Sequence, residues 1–159
     1  MQAPSKIKIP QITIRKIKKS DGRVFLSLID ALADFEKLKR PSPSARKRLI
    51  RDAFGPHPRF EAYLAIVQHT AVGYAIVFET YSSFLARPTL YLEDIFILPE
   101  FRNLGVGSKL FDHCLAEARR RACGRFEWVV LDWNTNAIRF YERRNAIQLK
   151  EWLPYRINL

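Results

Sequence analysis

The chain has 159 residues, of which 48% are apolar and 27% charged, a balance typical of one globular domain and not of a disordered chain. It has no apolar run near the roughly 20 residues of a membrane span and no apolar secretory leader, so we expect a cytoplasmic protein. The two cysteines and three histidines form no ligand cluster, which argues against a metal site or a structural disulfide.

The net charge of +11 is concentrated in a few basic segments. These segments are Lys6 to Lys19, Lys37 to Arg51, Arg119 to Arg125, and Arg139 with Arg143 and Arg144. Such a surface attracts polyanions, including nucleic acid, the ribosome or a polyphosphate cofactor. An ordinary solvated basic surface is the alternative, because the charges mostly occupy the polar faces of amphipathic segments.

The N-terminal part predicts a strand followed by two helices. Alternating apolar and polar residues predict the strand over Ile12 to Ile17. A helix with an apolar stripe follows, capped by Ser20 or Asp21 and running to about Leu38. A proline-rich break precedes a second, strongly basic helix over Ser44 to Ala53.

Three strands are predicted next. Phe60 to Gln68 and Val72 to Phe78 form a hairpin with a tight turn, and Gly73 inside it marks a bulge or a close backbone contact. Tyr81 to Pro88 is predicted to be a loop, and Leu90 to Leu98 the following strand.

The C-terminal part predicts two strand–helix units. A helix over Gly105 to Arg121 precedes a strand over Arg125 to Leu131, and a helix over Thr135 to Arg144 precedes a last strand or hairpin over Gln148 to Asn158. Antiparallel strands followed by such units predict an α/β fold of the α+β type. Its mixed sheet contains a local parallel pair and is covered by helices.

The most informative stretch is Arg102-Asn103-Leu104-Gly105-Val106-Gly107, which lies between a strand and a helix. This order directs free backbone N–H groups and the positive end of a helix dipole at one spot, where phosphate binds. Ser108 and Lys109 would add a hydroxyl and a charge, and Arg102 would either hold a phosphate oxygen or face solvent. The pattern alone also fits an ordinary glycine-rich helix start.

A second motif joins Asn134, Ala137 and Tyr141 at the start of the next helix. Asn134 and Tyr141 are about two helical turns apart and can face the same side. With the glycine turn, this motif resembles the GNAT N-acetyltransferases, which transfer acetyl from acetyl-CoA to an amine. The resemblance implies that the turn holds the CoA pyrophosphate, Asn134 the pantetheine arm, and that Tyr141 protonates the leaving thiolate. Core packing of Tyr141 is the alternative.

Further blocks resemble the diamine (spermidine/spermine) acetyltransferase branch, namely Phe54 to Pro58, Tyr91 to Ile97 and Trp133 to Arg144. The resemblance implies a GNAT-like fold over 1–159 as a single domain, and a homodimer. Asn145 replaces the branch's usual glycine after the last helix, and asparagine also tolerates a left-handed cap.

The acceptor side departs from this branch. There the segment corresponding to Phe35 to Arg40 is acidic and holds a polycation, whereas here only Glu36 stands beside three basic residues. A surface of +11 repels spermidine at long range, so a smaller amine, a lysine-like amino acid or a peptide amine remains open.

Acetylation of a lysine-like amine, with a pKa near 10.4, requires removal of a proton. Glu93 is the predicted base, acting through water, and Asp94 would bind the acceptor's ammonium. The resemblance implies a bulge that brings both into one cleft and frees the amides of Ile95, Phe96 and Ile97 for pantetheine and the carbonyl oxygen. A pair of surface carboxylates at a strand end is the alternative.

The remaining candidates are aromatic. Phe84, with Tyr81 and Trp133, would either wall the acceptor pocket or cover the sheet, while Trp128, Trp152 and Tyr155 are assigned to core or dimer packing. Proton transfer from Tyr141 to a thiolate is uphill by about two kcal/mol unless arginines or a helix N-terminus lower its pKa.

The sequence therefore predicts an acetyl-CoA-dependent N-acetyltransferase for a small primary amine, either a diamine or polyamine or a lysine-like amino acid. One alternative is a protein or peptide N-acetyltransferase that docks an acidic partner on its basic patches. The other is a nucleic-acid or ribosome-associated module, for which the chain has no recognised motif.

Overall fold

The structure is a computed structural model that describes residues 11–159. The first part of the basic segment Lys6 to Lys19, and the residues on which the leader expectation rests, lie outside the described residues. The chain divides into two compact units, one ending at Trp128 and one running from Val129 to Leu159. Among residues 11–159, no helix is both long and apolar enough to cross a membrane.

The first unit contains a five-stranded sheet whose strands lie side by side in chain order. The strands are β1 (Ile12–Lys16), β2 (Glu61–Val67), β3 (Thr70–Ser82), β4 (Arg87–Ile97) and β5 (Arg125–Glu127). Neighbours pair antiparallel except β4 and β5, which are parallel from Thr89–Arg125 to Tyr91–Glu127. The predicted mixed sheet with one local parallel pair is confirmed.

Three helices cover this sheet: α1 (Gly22–Phe35), α2 (Pro43–Phe54) and α3 (Val106–Arg120). On one face, Phe25 of α1 packs edge-on against Tyr74 of β3, with ring centroids 5.6 Å apart. On the other face, His113 of α3 packs against Tyr63, with ring centroids 4.6 Å apart. Leu64 belongs to the apolar cluster that contains Phe25 of α1, whereas its neighbour Tyr63 contacts α3. Because neighbouring strand residues point to opposite faces, α1 and α3 lie on opposite sides of the sheet.

The helix α1 ends three residues earlier than predicted. Lys37 adopts a left-handed conformation with φ 57°, and the amide of Leu38 donates to the Ala33 carbonyl at 2.8 Å. This hydrogen bond closes the helix and leaves Leu38, the predicted last residue of the helix, 61% exposed.

The strands also differ in length from the prediction. The predicted loop from Tyr81 to Pro88 shrinks to residues 83–86, because β3 and β4 continue their pairing as far as Ser82–Arg87. The strand β5 has three residues instead of seven, since its pairing with β4 stops at Glu127. Gly73 marks a close contact, as predicted: a Cβ there would meet the Phe96 carbonyl oxygen at 2.5 Å.

The second unit contains one helix, α4 (Thr135–Glu142). It ends two residues before the predicted Arg144. Asn145 is left-handed at φ 59°, as expected for a residue that tolerates such a cap, and the Ala146 amide donates to the Tyr141 carbonyl at 3.2 Å. The predicted strand or hairpin over Gln148 to Asn158 was wrong. Residues 147–159 are exposed and form no ladder with any other described part of the chain.

Candidate functional site

The glycine-rich turn between β4 and α3 has the geometry of an anion cradle. Gly105 is the N-cap with φ 81°, and the first helical hydrogen bond runs from the Lys109 amide to the Gly105 carbonyl at 3.0 Å. The amides of Val106, Gly107 and Ser108 therefore precede the helical ladder and donate to no acceptor within residues 11–159. A Cβ on Gly105 would meet nothing within 4 Å. Open space and bare amides fit a pyrophosphate.

The two basic side chains flanking this turn already have protein partners. Arg102 Nε donates to the Ile97 carbonyl at 2.9 Å, and its guanidinium lies 4.5 Å from the centre of the Phe35 ring. Burial lowers the pKa of Arg102. Lys109 Nζ donates to the Ile12 carbonyl at 2.9 Å. The packing of Arg102 on Phe35 was not predicted from the sequence, and its contact with a cofactor phosphate stays a prediction. Arg102 fastens the turn to the end of α1.

The predicted bulge in β4 is confirmed. Pairing with β3 shifts between Ile76, which faces Asp94, and Val77, which faces Leu92. Glu93 is therefore an extra residue without a partner on β3. As a result Glu93 and Asp94 line the same cavity, which regular alternation along a strand would not allow.

This cavity has a volume of about 520 Å³ and lies wholly in the first unit. Its walls come from α1, α2, the loop before β2, and the middle of β3 and β4. The remaining lining residues are Ile29, Pro41, Leu49, Arg59, Phe60, Ile76 and Phe78. A mostly apolar wall with two carboxylates suits an aliphatic chain that carries a cation.

The carboxylates of this cavity influence one another. Burial raises the pKa of Asp94 to about 6, a hydrogen bond from Tyr74 Oη at 3.0 Å opposes that rise, and the charges of Glu93 and Glu36 add to it. Burial also raises the pKa of Glu36, which follows α1. Glu36, Glu93 and Asp94 therefore form one negative region within a strongly basic protein.

The end of β4 carries a backbone edge that no strand covers. Pairing with β5 stops at Tyr91, so beyond the bulge no described strand lies on that side of Ile95, Phe96 and Ile97. On the other side these residues pair with β3. The open edge leads directly into the glycine turn and is suited to hydrogen bonding with an extended polar ligand.

The candidates of the second unit lie on α4. Asn134 is the N-cap, and its Oδ1 accepts from the Ala137 amide at 3.2 Å. Tyr141 is buried, and burial raises its pKa to about 12, so the condition of a lowered pKa that would ease proton transfer to a thiolate is not met. Trp133 is 50% exposed.

Several predicted residues lie elsewhere. Phe84, at the tip of the β3–β4 hairpin, is 92% exposed, and neither Phe84 nor Tyr81 lines the cavity. Trp128 packs on Phe111 with ring centroids 5.3 Å apart, as expected for the core, whereas Trp152 and Tyr155 are exposed.

Sequence reasoning missed Tyr74 and Arg59. A tyrosine in an apolar strand whose hydroxyl needs a partner was the available signal for Tyr74. Within residues 11–159, no group of acidic, histidine or cysteine side chains could hold a metal ion.

Comparison with known proteins gives a consistent result. The sequence profile of the acetyltransferase (GNAT) family matches residues 26–146. The chain is 32% identical over 154 residues to thialysine N-epsilon-acetyltransferase from Mus musculus, which covers 90% of both chains. It is 44% identical over 80 residues to L-ornithine N5-acetyltransferase from Arabidopsis thaliana, covering 50% of this chain and 35% of that one.

The diamine branch is also represented. Human spermidine/spermine N(1)-acetyltransferase-like protein 1 is 29% identical over 155 residues, 91% of this chain and 22% of the human protein. Among solved structures, the aminoglycoside N-acetyltransferase AAC(6')-Iy in complex with CoA superimposes with a TM-score of 0.77, 18% identity, and coverage of 99% and 100%. At that identity the superposition establishes the fold alone.

Proposed function

The chain belongs to the GNAT family of N-acetyltransferases, enzymes that use acetyl-CoA, and we propose that it acetylates one primary amine of a small dibasic molecule, either a diamine or a lysine-like amino acid. The observation that carries this proposal is the bulge at Glu93. It places two carboxylates in one cavity, on the same strand that runs into the glycine turn. The names of the similar enzymes, which act on thialysine and ornithine, support a small amine.

Different residues of the chain would bind different parts of acetyl-CoA. The amides of Val106, Gly107 and Ser108 would hold the pyrophosphate at the positive end of α3. The open edge of Ile95 to Ile97 would donate to the pantetheine arm and to the thioester oxygen. Asn103, Leu104, Lys109 and Asn134 remain proposed cofactor contacts from the resemblance.

The acceptor side needs a cation site and a base. Asp94, held by Tyr74, would bind an ammonium group of the acceptor, and Glu36 adds negative charge beside it. Glu93, exposed on the bulge, would take the proton of the reacting ammonium through water. Acetyl-CoA, when bound, supplies a thioester activated for attack, and Tyr141 would return a proton to the sulfur. Phe84 stays a proposed acceptor contact outside this cavity.

A panel of amines tests this function. Thiol release from acetyl-CoA would be followed with diamines, spermidine, lysine-like amino acids, peptides and a histone-like basic protein. We expect turnover with small dibasic molecules and its loss in Glu93→Gln. Turnover with peptides alone would instead support the protein-directed alternative. Steeply salt-dependent binding of RNA without any turnover would support the nucleic-acid alternative.

The assembly state and location are also proposals. The family resemblance suggests one catalytic domain over 1–159, a homodimer and a cytoplasmic enzyme. Light scattering at several concentrations would test the dimer, and a mass equal to one chain, 18.6 kDa, would contradict it.

A further inference from the structure

The walls of the acceptor cavity include one cationic side chain as well as two carboxylates. Of its described lining residues, only Arg59, Glu93 and Asp94 carry charge, and the other six are apolar. A cavity built only for a diamine gains nothing from a guanidinium, because like charges repel. Arg59 therefore gives the cavity a group that can pair with an anionic part of a ligand.

Arg59 is anchored by its backbone while its side chain is only weakly held. Its amide donates to the Asp52 carbonyl at 2.9 Å, which ties the loop to α2. Its Nε lies 4.0 Å from Asp52 Oδ1, an oxygen that already accepts from Arg51 at 2.8 Å. Arg59 lines the cavity and 79% of its side chain is exposed, so its guanidinium is accessible to a ligand.

A dibasic amino acid matches these charges one for one. At neutral pH it carries two ammonium groups and one carboxylate, and the cavity offers two carboxylates and one guanidinium. Its methylene chain would lie on the apolar walls between them. A diamine has the same two amines but carries no anionic group that could pair with Arg59.

We infer that Arg59 binds the α-carboxylate of the acceptor and selects a dibasic α-amino acid over the diamine of the same chain length. This inference rests on the proposed function and chooses between its two acceptor classes. Guanidinium groups bind carboxylates through paired, charge-assisted hydrogen bonds, a geometry that lysine cannot reproduce.

The test compares two acceptors that differ only by the carboxylate: lysine with 1,5-diaminopentane, and ornithine with 1,4-diaminobutane. kcat/KM is measured for each with the native enzyme, Arg59→Ala, Arg59→Lys and the matched control Arg51→Ala. Arg51 is also exposed and binds the same Asp52, but it does not line the cavity. A thermal melt of each variant checks folding.

We expect the native enzyme to prefer the amino acid. Arg59→Ala should lower kcat/KM for the amino acid about tenfold, mainly through KM, and leave the diamine unchanged or improved. Arg59→Lys should keep part of the preference, and Arg51→Ala all of it. Equal losses for both acceptors in Arg59→Ala, or a native preference for the diamine, would overturn the inference while acetylation itself still stands. No turnover of any small amine would instead contradict the proposed function.

Discussion

Tyr74 donates its hydroxyl to Asp94 Oδ2 at 3.0 Å, across the paired strands β3 and β4 and next to the bulge at Glu93. Burial raises the pKa of Tyr74, so the phenol stays protonated and remains a donor. Its hydrogen bond favours the charged form of Asp94 and opposes the burial that raises the pKa of that carboxyl to about 6. These two residues together set the pH range in which the cavity is negative.

The fall of kcat/KM at low pH, the acidic limb of the pH profile, should therefore depend on Tyr74. We expect kcat/KM for a cationic acceptor to fall as the pH drops through about 6, where Asp94 takes up a proton. Tyr74→Phe removes the hydrogen bond that favours ionised Asp94. The kcat/KM of this variant should therefore fall at a higher pH than that of the native enzyme. Deprotonation of the acceptor amine affects both enzymes equally, and the comparison of their pH profiles isolates Asp94.

A matched control is Tyr63→Phe, a buried tyrosine on the α3 face of the sheet. Its acidic limb should coincide with that of the native enzyme. Coincident limbs for Tyr74→Phe and native enzyme would refute the role assigned to this hydrogen bond.

Replacing Asp94 should lower kcat/KM for the acceptor and raise the free energy of unfolding. Its pKa of about 6 in the native state lies above the value near 3.9 of an unfolded chain, so the native protein holds this proton more tightly. The stabilising effect of the bound proton is complete below pH 4 and is lost as the pH rises through 6. Asp94→Asn has no charge to bury, so we expect it to raise the unfolding free energy at pH 8 by up to about 3 kcal/mol.

At pH 4 the same substitution should bring almost no gain, because Asp94 is already neutral there. Urea unfolding at the two pH values measures the difference, and the acceptor's kcat/KM should drop in parallel. An equal change in stability at both pH values would show that the carboxylate is not the source.

The glycine turn offers a test of cofactor binding. Gly105→Val places a branched side chain in the open space at the N-cap of α3, directly before the bare amides of Val106 to Ser108. The positive φ adds a strain of about 1–2 kcal/mol, so the variant should fold with lower stability. We expect acetyl-CoA affinity, measured by calorimetry, to fall at least tenfold.

Gly107→Ala is the control for this turn, since its Cβ would lie 3.6 Å from Ile97 Cγ1, an ordinary contact. It should bind acetyl-CoA like the native enzyme. Normal binding by a folded Gly105→Val variant would place the pyrophosphate elsewhere.

The helices and strands could be predicted wherever the spacing of apolar residues in the sequence reflects which residues are buried. The helices α1 and α3 were found because their apolar residues repeat at helical spacing, and the strand β4 was found as a short apolar run. The helix α2 was placed by the proline-rich break before it. The prediction of a strand over Gln148 to Asn158 was wrong because a strand also needs a neighbouring strand to pair with. The large apolar residues of this segment are exposed, and Pro154 cannot donate to a ladder.

The site was predictable to the extent that it is local in sequence. Glu93 and Gly105 lie in recognisable segments of consecutive residues, although the bulge was inferred from the family resemblance and not from spacing. The packing of Arg102 on Phe35 was not predicted, because Phe35 is remote in the chain. Arg59 and Tyr74 were missed for the same reason, since only folding brings them beside Asp94.

Tyr141 provides the last prediction, on proton return to the sulfur. Burial raises its pKa to about 12, so transfer to a thiolate of ordinary pKa near 8.5 is uphill by about 5 kcal/mol. The phenol can serve as the acid only if the same burial also raises the basicity of the thiolate. Under that condition, Tyr141→Phe should lower kcat about a hundredfold. It should barely change acetyl-CoA affinity, because the ring and its packing remain.

Tyr155→Phe, which removes the hydroxyl of a tyrosine that is 91% exposed, is the matched control and should keep full turnover. A loss of affinity as large as the loss of kcat would assign Tyr141 to packing, and unchanged turnover would exclude it as the acid.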